Sequence, residues 1–333
     1  MYEETYFQTP ILFLIFNRPS ETLKVFDIIC KIKPAQLYIA ADGPRIDRIG
    51  EFEICNQTRN LILNNVFWPC EIKTLFRDKN LGCGIAVSEG ITWFFNNVDK
   101  GIILEDDTIP DLSFFPYCEY LLNIYKDDKN IMHISGNSFN TFKSDVTTSN
   151  SIYFSKFPFN WGWASWKRAW DKYDYSIIIN TNSNDWVLWL NNNFKEKIII
   201  DYWNRTLKNT LLQKKSFTWD YQWYLTIWKN NGISILPQRN LVKNIGWILN
   251  ATHTNEPNHH LGKLKIHKIK FPLKIPKSYN LNNYIFDLNN FHNYYTVPKS
   301  SLFYLIYRGK IIKKTLSKLK FLILKIVKIT FNK

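Results

Sequence analysis

Between residues 11 and 134 the chain alternates, four times over, a short apolar run with a longer amphipathic or polar stretch. That alternation restricts the fold more than any other feature. Residues 11–16, 37–41, 71–76 and 102–104 read as strands, and 131–134 closes this half as a fifth. The apolar runs among them carry little polar alternation, which is the pattern of strands covered on both faces. Between them the spacing predicts four helices: from Ser20, placed to cap, to about residue 30; a polar helix ending near 65; one opened by Leu81-Gly82-Cys83-Gly84 and running through 95; and one from about 111 to 125. Strand–helix alternation with short connections belongs to the α/β class, a mostly parallel sheet flanked by helices on both faces.

Each run ends in polar, charged or turn-forming residues: Asn17-Arg18-Pro19-Ser20, Asp42-Gly43-Pro44-Arg45, Arg77-Asp78-Lys79-Asn80 and Glu105-Asp106-Asp107. In a parallel sheet these ends share one edge, and ligands of open α/β sheets bind just beyond it. The acidic triplet is the most pointed chemically. Three adjacent carboxylates repel one another, and a divalent cation relieves that cost; hard oxygen ligands suit Mg²⁺ or Mn²⁺, which in turn bind phosphates. The bland alternative is an acidic surface turn.

The second half reads differently. Aromatic residues make up 17% of the chain, with 13 Trp, and Phe157-Pro158-Phe159-Asn160-Trp161-Gly162-Trp163-Ala164-Ser165-Trp166 is the densest stretch. Short helices are expected near 165–172 and 184–213, another after Trp219-Asp220, and a strand over 233–236. The net charge of +15 is confined to the end of the chain: residues 261–333 hold 16 basic residues and one acid, Asp287, whereas 1–260 holds 27 of each sign. With no nucleic-acid-binding motif beside it, this basic excess is not read as a nucleic-acid signal. Over 302–329 it lies on one face of a helix whose other face is Ile- and Leu-rich, the pattern of an interfacial anchor on anionic lipid, or else of a helix docked on its own domain. Five cysteines, odd in number and without a CxxC pair, argue against a disulfide framework or zinc site and fit a reducing compartment. The acidic start, Met1-Tyr2-Glu3-Glu4, does not read as a signal peptide, and no run of 18 apolar residues occurs. The expected location is therefore cytoplasmic, peripheral at the inner face of the cell membrane.

Taken in order, six motifs resemble those of nucleotide-sugar glycosyltransferases of the GT-A fold. They are Phe16-Asn17-Arg18, Asp42-Gly43, Asn80-Leu81-Gly82-Cys83-Gly84, Glu105-Asp106-Asp107 followed by Ile109-Pro110-Asp111, Trp161-Gly162-Trp163, and Trp219-Asp220. The likeness is to bacterial family-2-like members and to the Golgi N-acetylglucosaminyltransferase that initiates hybrid N-glycans, over about residues 10–255. The chain departs from the Golgi enzyme in its larger aromatic cluster, its basic tail and its lack of an N-terminal anchor. Donor sugar and acceptor are therefore not carried over.

The resemblance implies a role for each motif. Asp107 is the direct metal ligand, Asp106 contacts the ribose or reaches the metal through water, and Glu105 supports the donor. Asp42 accepts a hydrogen bond from the base, and otherwise simply forms an Asp-Gly-Pro turn. Asn17 and Arg18 sit near base or phosphates, with Arg77 a weaker candidate of that kind. Gly82 lets the backbone approach the donor at a helix N-terminus. Asp220 is the general base that deprotonates the acceptor hydroxyl, its neighbouring Trp excluding water, unless it serves only as a helix cap. Trp161, Gly162, Trp163 and Trp219 line the sugar and acceptor cleft, although a core role is expected for at least one Trp. His253 reaches the metal or diphosphate from a loop.

The sequence thus predicts a glycosyltransferase domain over 1–260, with a nucleotide-sugar-binding half (1–135) and an acceptor-binding half (136–260). A basic linker (261–300) and a membrane-associating tail (301–333) follow. The expected activity is metal-dependent, inverting transfer from a nucleotide-diphosphate sugar, a UDP-sugar by preference, to a glycan or lipid-linked acceptor in cell-surface polysaccharide synthesis. Two competitors remain at this stage: a sugar nucleotidyltransferase, which should carry a Gly-rich basic loop where this chain has Asn17-Arg18-Pro19-Ser20, and a non-catalytic carbohydrate- or membrane-binding protein.

Overall fold

The computed structural model describes residues 6–139, 150–212, 218–247, 260–279 and 284–295. The first half follows the alternation: β1 (Ile11–Ile15), α1 (Pro19–Ile32), β2 (Gln36–Ala41), α2 (Glu51–Leu63), β3 (Glu71–Phe76), α3 (Cys83–Asn97), β4 (Lys100–Glu105), β5 (Thr108–Pro110), α4 (Phe114–Ile124) and β6 (Ile131–Ser135). The second half adds β7 (Ile152–Ser155), β8 (Trp163–Trp166), α5 (Lys167–Trp170), α6 (Ile177–Asn180), α7 (Ser183–Asn193), α8 (Lys197–Leu212), α9 (Asp220–Lys229), β9 (Ile233–Pro237), β10 (Val242–Asn244) and α10 (Tyr284–Tyr294). Helix α1 does not start at Ser20: Arg18 is its N-cap residue and Pro19 its first helical residue, where a missing N–H costs nothing and φ is already set.

Eight strands form one sheet in the order β3-β2-β1-β4-β8-β6-β9-β7. β3, β2, β1 and β4 pair in parallel, so their carboxyl ends do lie on one edge. β8 enters antiparallel between β4 and β6, with Ala164 opposite both Ile102 and Ile134, and joins the two halves into a single sheet. β9 runs parallel to β6, and β7 closes the edge antiparallel. The architecture is thus a mixed α/β fold on a large, mostly parallel sheet.

Alternation along β1 separates two cores. Leu12 and Leu14 face one side with Phe94 and Phe95 of α3; Ile11, Phe13 and Ile15 face the other with Val25, Phe26 and Ile29 of α1 and Leu121 and Leu122 of α4. The α3 side also takes the aromatic second half. Trp163, Trp186, Trp203, Trp223 and Trp228 are all essentially buried there. His133 belongs to this packing: it stacks on Trp163 at 5.0 Å, accepts from Trp223 Nε1 at 3.2 Å, and burial lowers its pKa to about 3.

Residues 261–300 read as a linker in the sequence, yet their described part is built into the fold. Leu261, Phe286, Leu288 and Phe291 are buried in the α3-side core. The Asp287 carboxylate, pushed up to about 7 by burial, accepts from Ser155 Oγ at 2.5 Å and from the Lys156 amide. Lys and Asn are scattered through this segment and obscure the periodicity of the apolar positions that pack. Phe291→Ala is expected to cost about 3–5 kcal/mol of stability, measured by denaturant unfolding. A residue in a solvated linker would change the midpoint negligibly. Residues 301–333 lie outside the described part, and among the described residues no helix is long and apolar enough to cross a membrane.

Candidate active site

The strand ends open onto a cavity of about 850 Å³, lined on one side by Arg18, Asp42, Arg45, Arg77, Gly82 and Glu105–Asp107 and on the other by Trp161, Tyr202, Trp219, Asp220, Trp247 and Tyr294, among others. Residues from both halves of the chain therefore meet in one cleft.

The acidic triplet sits on a rigid turn. The Glu105 amide donates to Thr108 Oγ1 and the Thr108 hydroxyl donates back to the Glu105 carbonyl, both at 3.0 Å. β5, directly after the turn, pairs with β10, and the Ile245 amide donates to the Asp107 carbonyl at 2.8 Å. Asn244 Nδ2 reaches Asp107 Oδ1 at 3.4 Å. The backbone of Gly246 passes so close that a Cβ there would collide with the Asp107 carboxylate. Arg18 spans the pair, 2.9 Å from Asp107 Oδ2 and 3.5 Å from Asp106 Oδ1.

Crowding shows in the electrostatics. Burial raises the Glu105 carboxyl well above the ordinary range, and the charges of Asp107, Asp106 and Asp220 add to it. Burial, then Asp107, pushes Asp106 up to about 7, and burial likewise raises Asp107. Burial alone would lower the Arg18 guanidinium, but the charges of Asp106 and Asp107 outweigh it and leave it raised.

Among the described residues no three His, Cys, Asp or Glu side chains converge as a ready-made metal cage. The donor set nevertheless fits a hard divalent ion. Asp106 and Asp107 share the Arg18 guanidinium in the cavity wall, and an ion bound by one or both of them would complete its shell with phosphate oxygens.

Asp42 is engaged more fully than the sequence foretold. Its carboxylate accepts from the amides of Gly43, Leu81 and Gly82 and from Asn80 Nδ2, at 2.8–3.2 Å. It thus fixes the loop that opens α3, where Gly82 adopts φ 82° and ψ 157°, a conformation that only glycine takes readily. The amide of Gly82, whose backbone was expected to approach the donor, is already occupied by this carboxylate. Arg77 lines the cavity but also pairs with Glu89 at 2.6 Å.

Asp220 lies across the cleft. It is not the N-cap of α9; Trp219 holds that position and Asp220 is the first helical residue. Its charge helps to raise Glu105 on one side and Tyr221 and Tyr294 on the other, which places it between the acidic turn and the aromatic wall.

Other expectations need correction. Asn17 does not line the cavity: its side chain donates to Glu51 Oε1 at 2.8 Å. Glu51 in turn binds Arg45, so the residue reaching the cavity from this network is Arg45, its guanidinium over the Phe16 ring at 5.6 Å. Trp163 is fully buried on β8, stacked on His133 and on Trp219, whereas Trp161 lies before the strand and is only partly buried. Gly162 faces Val242 and Leu104 rather than the cavity. Trp161 and Trp219 do line it. His253 lies outside the described residues. Sequence reading missed Arg45, Trp247 and Tyr294; only Arg45, just past Asp42-Gly43-Pro44, sits in a motif that could have drawn attention to it.

Comparison with protein families and with curated proteins gives no match. Among solved structures the chain is similar to S. aureus TarS 1–349 (9% identity, 73% of this chain and 66% of that one, TM-score 0.39) and to mouse xyloside xylosyltransferase 1 (10%, 66% and 81%, 0.32). It is also similar to 4-diphosphocytidyl-2C-methyl-D-erythritol synthase from Anaerococcus prevotii (9%, 70% and 91%, 0.31). The chain spans less than two thirds of TarS 1–349, and 55% of HddC from Yersinia pseudotuberculosis. At these scores the likenesses assign no function.

Proposed function

We propose that the protein is a GT-A-type glycosyltransferase that moves a sugar from a nucleotide-diphosphate sugar to an acceptor hydroxyl with inversion. The observation that carries this reading is the presence, in one cavity, of the acidic turn Glu105–Asp107 and a second carboxylate, Asp220, contributed by helix α9 of the other half of the chain. A sugar nucleotidyltransferase has no acceptor hydroxyl on a second sugar to deprotonate, and a binding protein needs neither carboxylate.

Asp107, supported by Asp106, would hold Mn²⁺ or Mg²⁺. Such an ion offsets the charge that builds on the departing nucleotide. Arg18, already placed on both aspartates, balances charge on the donor side, and Arg45 and Arg77 extend that basic rim. Asp42 keeps the loop before α3 in the shape against which the donor lies. Asp220 takes the proton from the acceptor hydroxyl as it attacks the anomeric carbon from the face opposite the leaving diphosphate.

The test is nucleotide release from a panel of nucleotide sugars, UDP-sugars first, with and without Mn²⁺. Acceptor-stimulated release of nucleoside diphosphate supports the reading. Pyrophosphate formation from a nucleoside triphosphate and a sugar phosphate would replace it with nucleotidyl transfer.

The Lys-faced helix expected over 302–329 supports a peripheral site on anionic membrane, at its cytoplasmic face, and a lipid-linked glycan acceptor of surface polysaccharide synthesis. Removing 301–333 is expected to abolish sedimentation with anionic vesicles and to leave neutral-vesicle binding unchanged. Unaltered partition of the truncated chain would sink the membrane assignment.

A further inference from the structure

The general base proposed for this cleft stands on a helix whose start is held from behind. Asp220 is the first residue of α9, and Trp219 before it is the N-cap residue, which supplies no side-chain cap. The Trp219 carbonyl accepts twice: from the Trp223 amide at 3.3 Å, the first bond of the helix, and from the Tyr173 hydroxyl at 3.1 Å. The Trp219 ring stacks on Trp163 of β8, with centroids 5.7 Å apart and planes 18° from parallel. Trp219 and Asp220 line the cavity, whereas Tyr173 does not. Tyr173 thus reaches the backbone beside the carboxylate from outside the cavity.

Tyr173 is itself fixed. It follows α5, its amide donates to the Trp170 carbonyl at 2.8 Å, and its ring lies flat on that of Trp170, 4.2 Å between centroids and 9° between planes. The Trp170 indole N–H donates to Thr92 Oγ1 of α3 at 2.9 Å. The first turns of α3 line the cavity through Cys83, Ala86 and Val87. A short series of contacts therefore runs from α3 through Thr92, Trp170 and Tyr173 to the carbonyl beside Asp220. Burial raises the Tyr173 phenol, and the charge of Asp220 adds to this, so the hydroxyl stays a donor. Such bracing matters for a base, because a displacement of about 1 Å costs on the order of 10²-fold in rate.

We infer that Tyr173 is a positioning residue for Asp220: its hydroxyl fixes the start of α9 against α3 and so sets where the Asp220 carboxylate stands across the cleft from the acidic turn. The role rests on the assignment of Asp220 as general base; the anchoring of α9 does not.

The test is Tyr173→Phe in the full-length protein, alone and combined with Asp220→Asn. It is read by nucleotide release from the nucleotide-sugar panel with Mn²⁺, UDP-glucose and UDP-N-acetylglucosamine first, and by amide hydrogen exchange. The variant loses one oxygen, keeps the ring on Trp170 and leaves the Trp219 carbonyl its bond from Trp223. Tyr173→Phe is expected to lower kcat roughly tenfold, the effect of one hydrogen bond on a barrier, with KM for nucleotide sugar unchanged. Exchange should quicken in a peptide spanning the start of α9 and stay the same in one spanning β4. In the Asp220→Asn background the second substitution should cost nothing further, because the two groups act as a unit. Thr92→Val, which takes away the acceptor of Trp170 Nε1, provides a second variant with the same expected pattern should Tyr173→Phe fail to fold. Equal losses in both backgrounds, an unchanged kcat, or unaltered exchange at α9 would overturn the inference. Full turnover in Asp220→Asn alone removes the base assignment and the positioning role with it. Should the wild-type protein release nucleotide from no member of the panel, the transferase reading fails, while exchange at α9 still decides whether Tyr173 anchors the helix.

Discussion

Asp220→Asn lowers sugar transfer by about 10²- to 10⁴-fold, the usual contribution of a positioned general base, while the affinity for nucleotide is kept. The substitution is nearly isosteric and leaves α9 with the same first residue geometry, so packing around Trp219 and Trp223 is preserved. What it removes is the proton acceptor. Asp220 is suited to that task by position: it is the first residue of α9 and lines the cavity together with Tyr221 and Tyr294. The readout is a steady-state transfer assay next to nucleotide titration on the same sample. Full turnover in the variant ends the assignment, and a parallel loss of nucleotide binding moves Asp220 to the donor side.

Asp107→Asn has a different signature. Transfer falls on the order of 10²-fold or more, as expected when several kcal/mol of leaving-group stabilisation is lost. Unlike the Asp220 variant, it also loses the Mn²⁺-dependent part of nucleoside diphosphate affinity. The cause is local: Asp107 is the triplet member clamped by the Ile245 amide, approached by Asn244 and salt-bridged by Arg18. Neutralising it releases Arg18 toward Asp106 alone. Titrating nucleotide at several Mn²⁺ concentrations separates the two variants; an Asp107→Asn protein with unchanged metal dependence would assign the ion to Asp106 or Glu105.

The first half of the fold was legible because its signals are local. β1, β2 and β4 are apolar runs bounded by Gly, Pro, Asn or Asp, and the strand ends needed only a parallel sheet to be brought together. The second half was not, for reasons visible at particular residues. β8 is Trp-Ala-Ser-Trp, whose rings give no inside-outside alternation to read, and its antiparallel place between β4 and β6 is fixed by tertiary pairing. The short helices expected over 184–213 are α7 and α8, but the break between them falls at Phe194, which takes an extended backbone without any Gly or Pro to announce it. In the cleft, Asp220 and the acidic turn came from motifs, whereas the aromatic wall did not. Its rings lie far apart in sequence, and α10 is masked by asparagines. The error over Trp163 has the same origin: Trp161 and Trp163 look equivalent as letters, but Trp161 precedes the strand, the chain passes through Gly162 at φ 65°, and only Trp163 is in the buried β8.

Helix α10 carries a consequence for how such a cleft can diversify. On one side the cavity is lined from strand-end loops that can change without disturbing the sheet. On the other side, the helix that presents Tyr294 and Tyr295 also buries Phe286, Leu288 and Phe291. Substitutions that reshape that wall therefore draw on the same packing that keeps the chain folded. Descendants of this sequence should vary the loops at the strand ends more freely than the residues of α10.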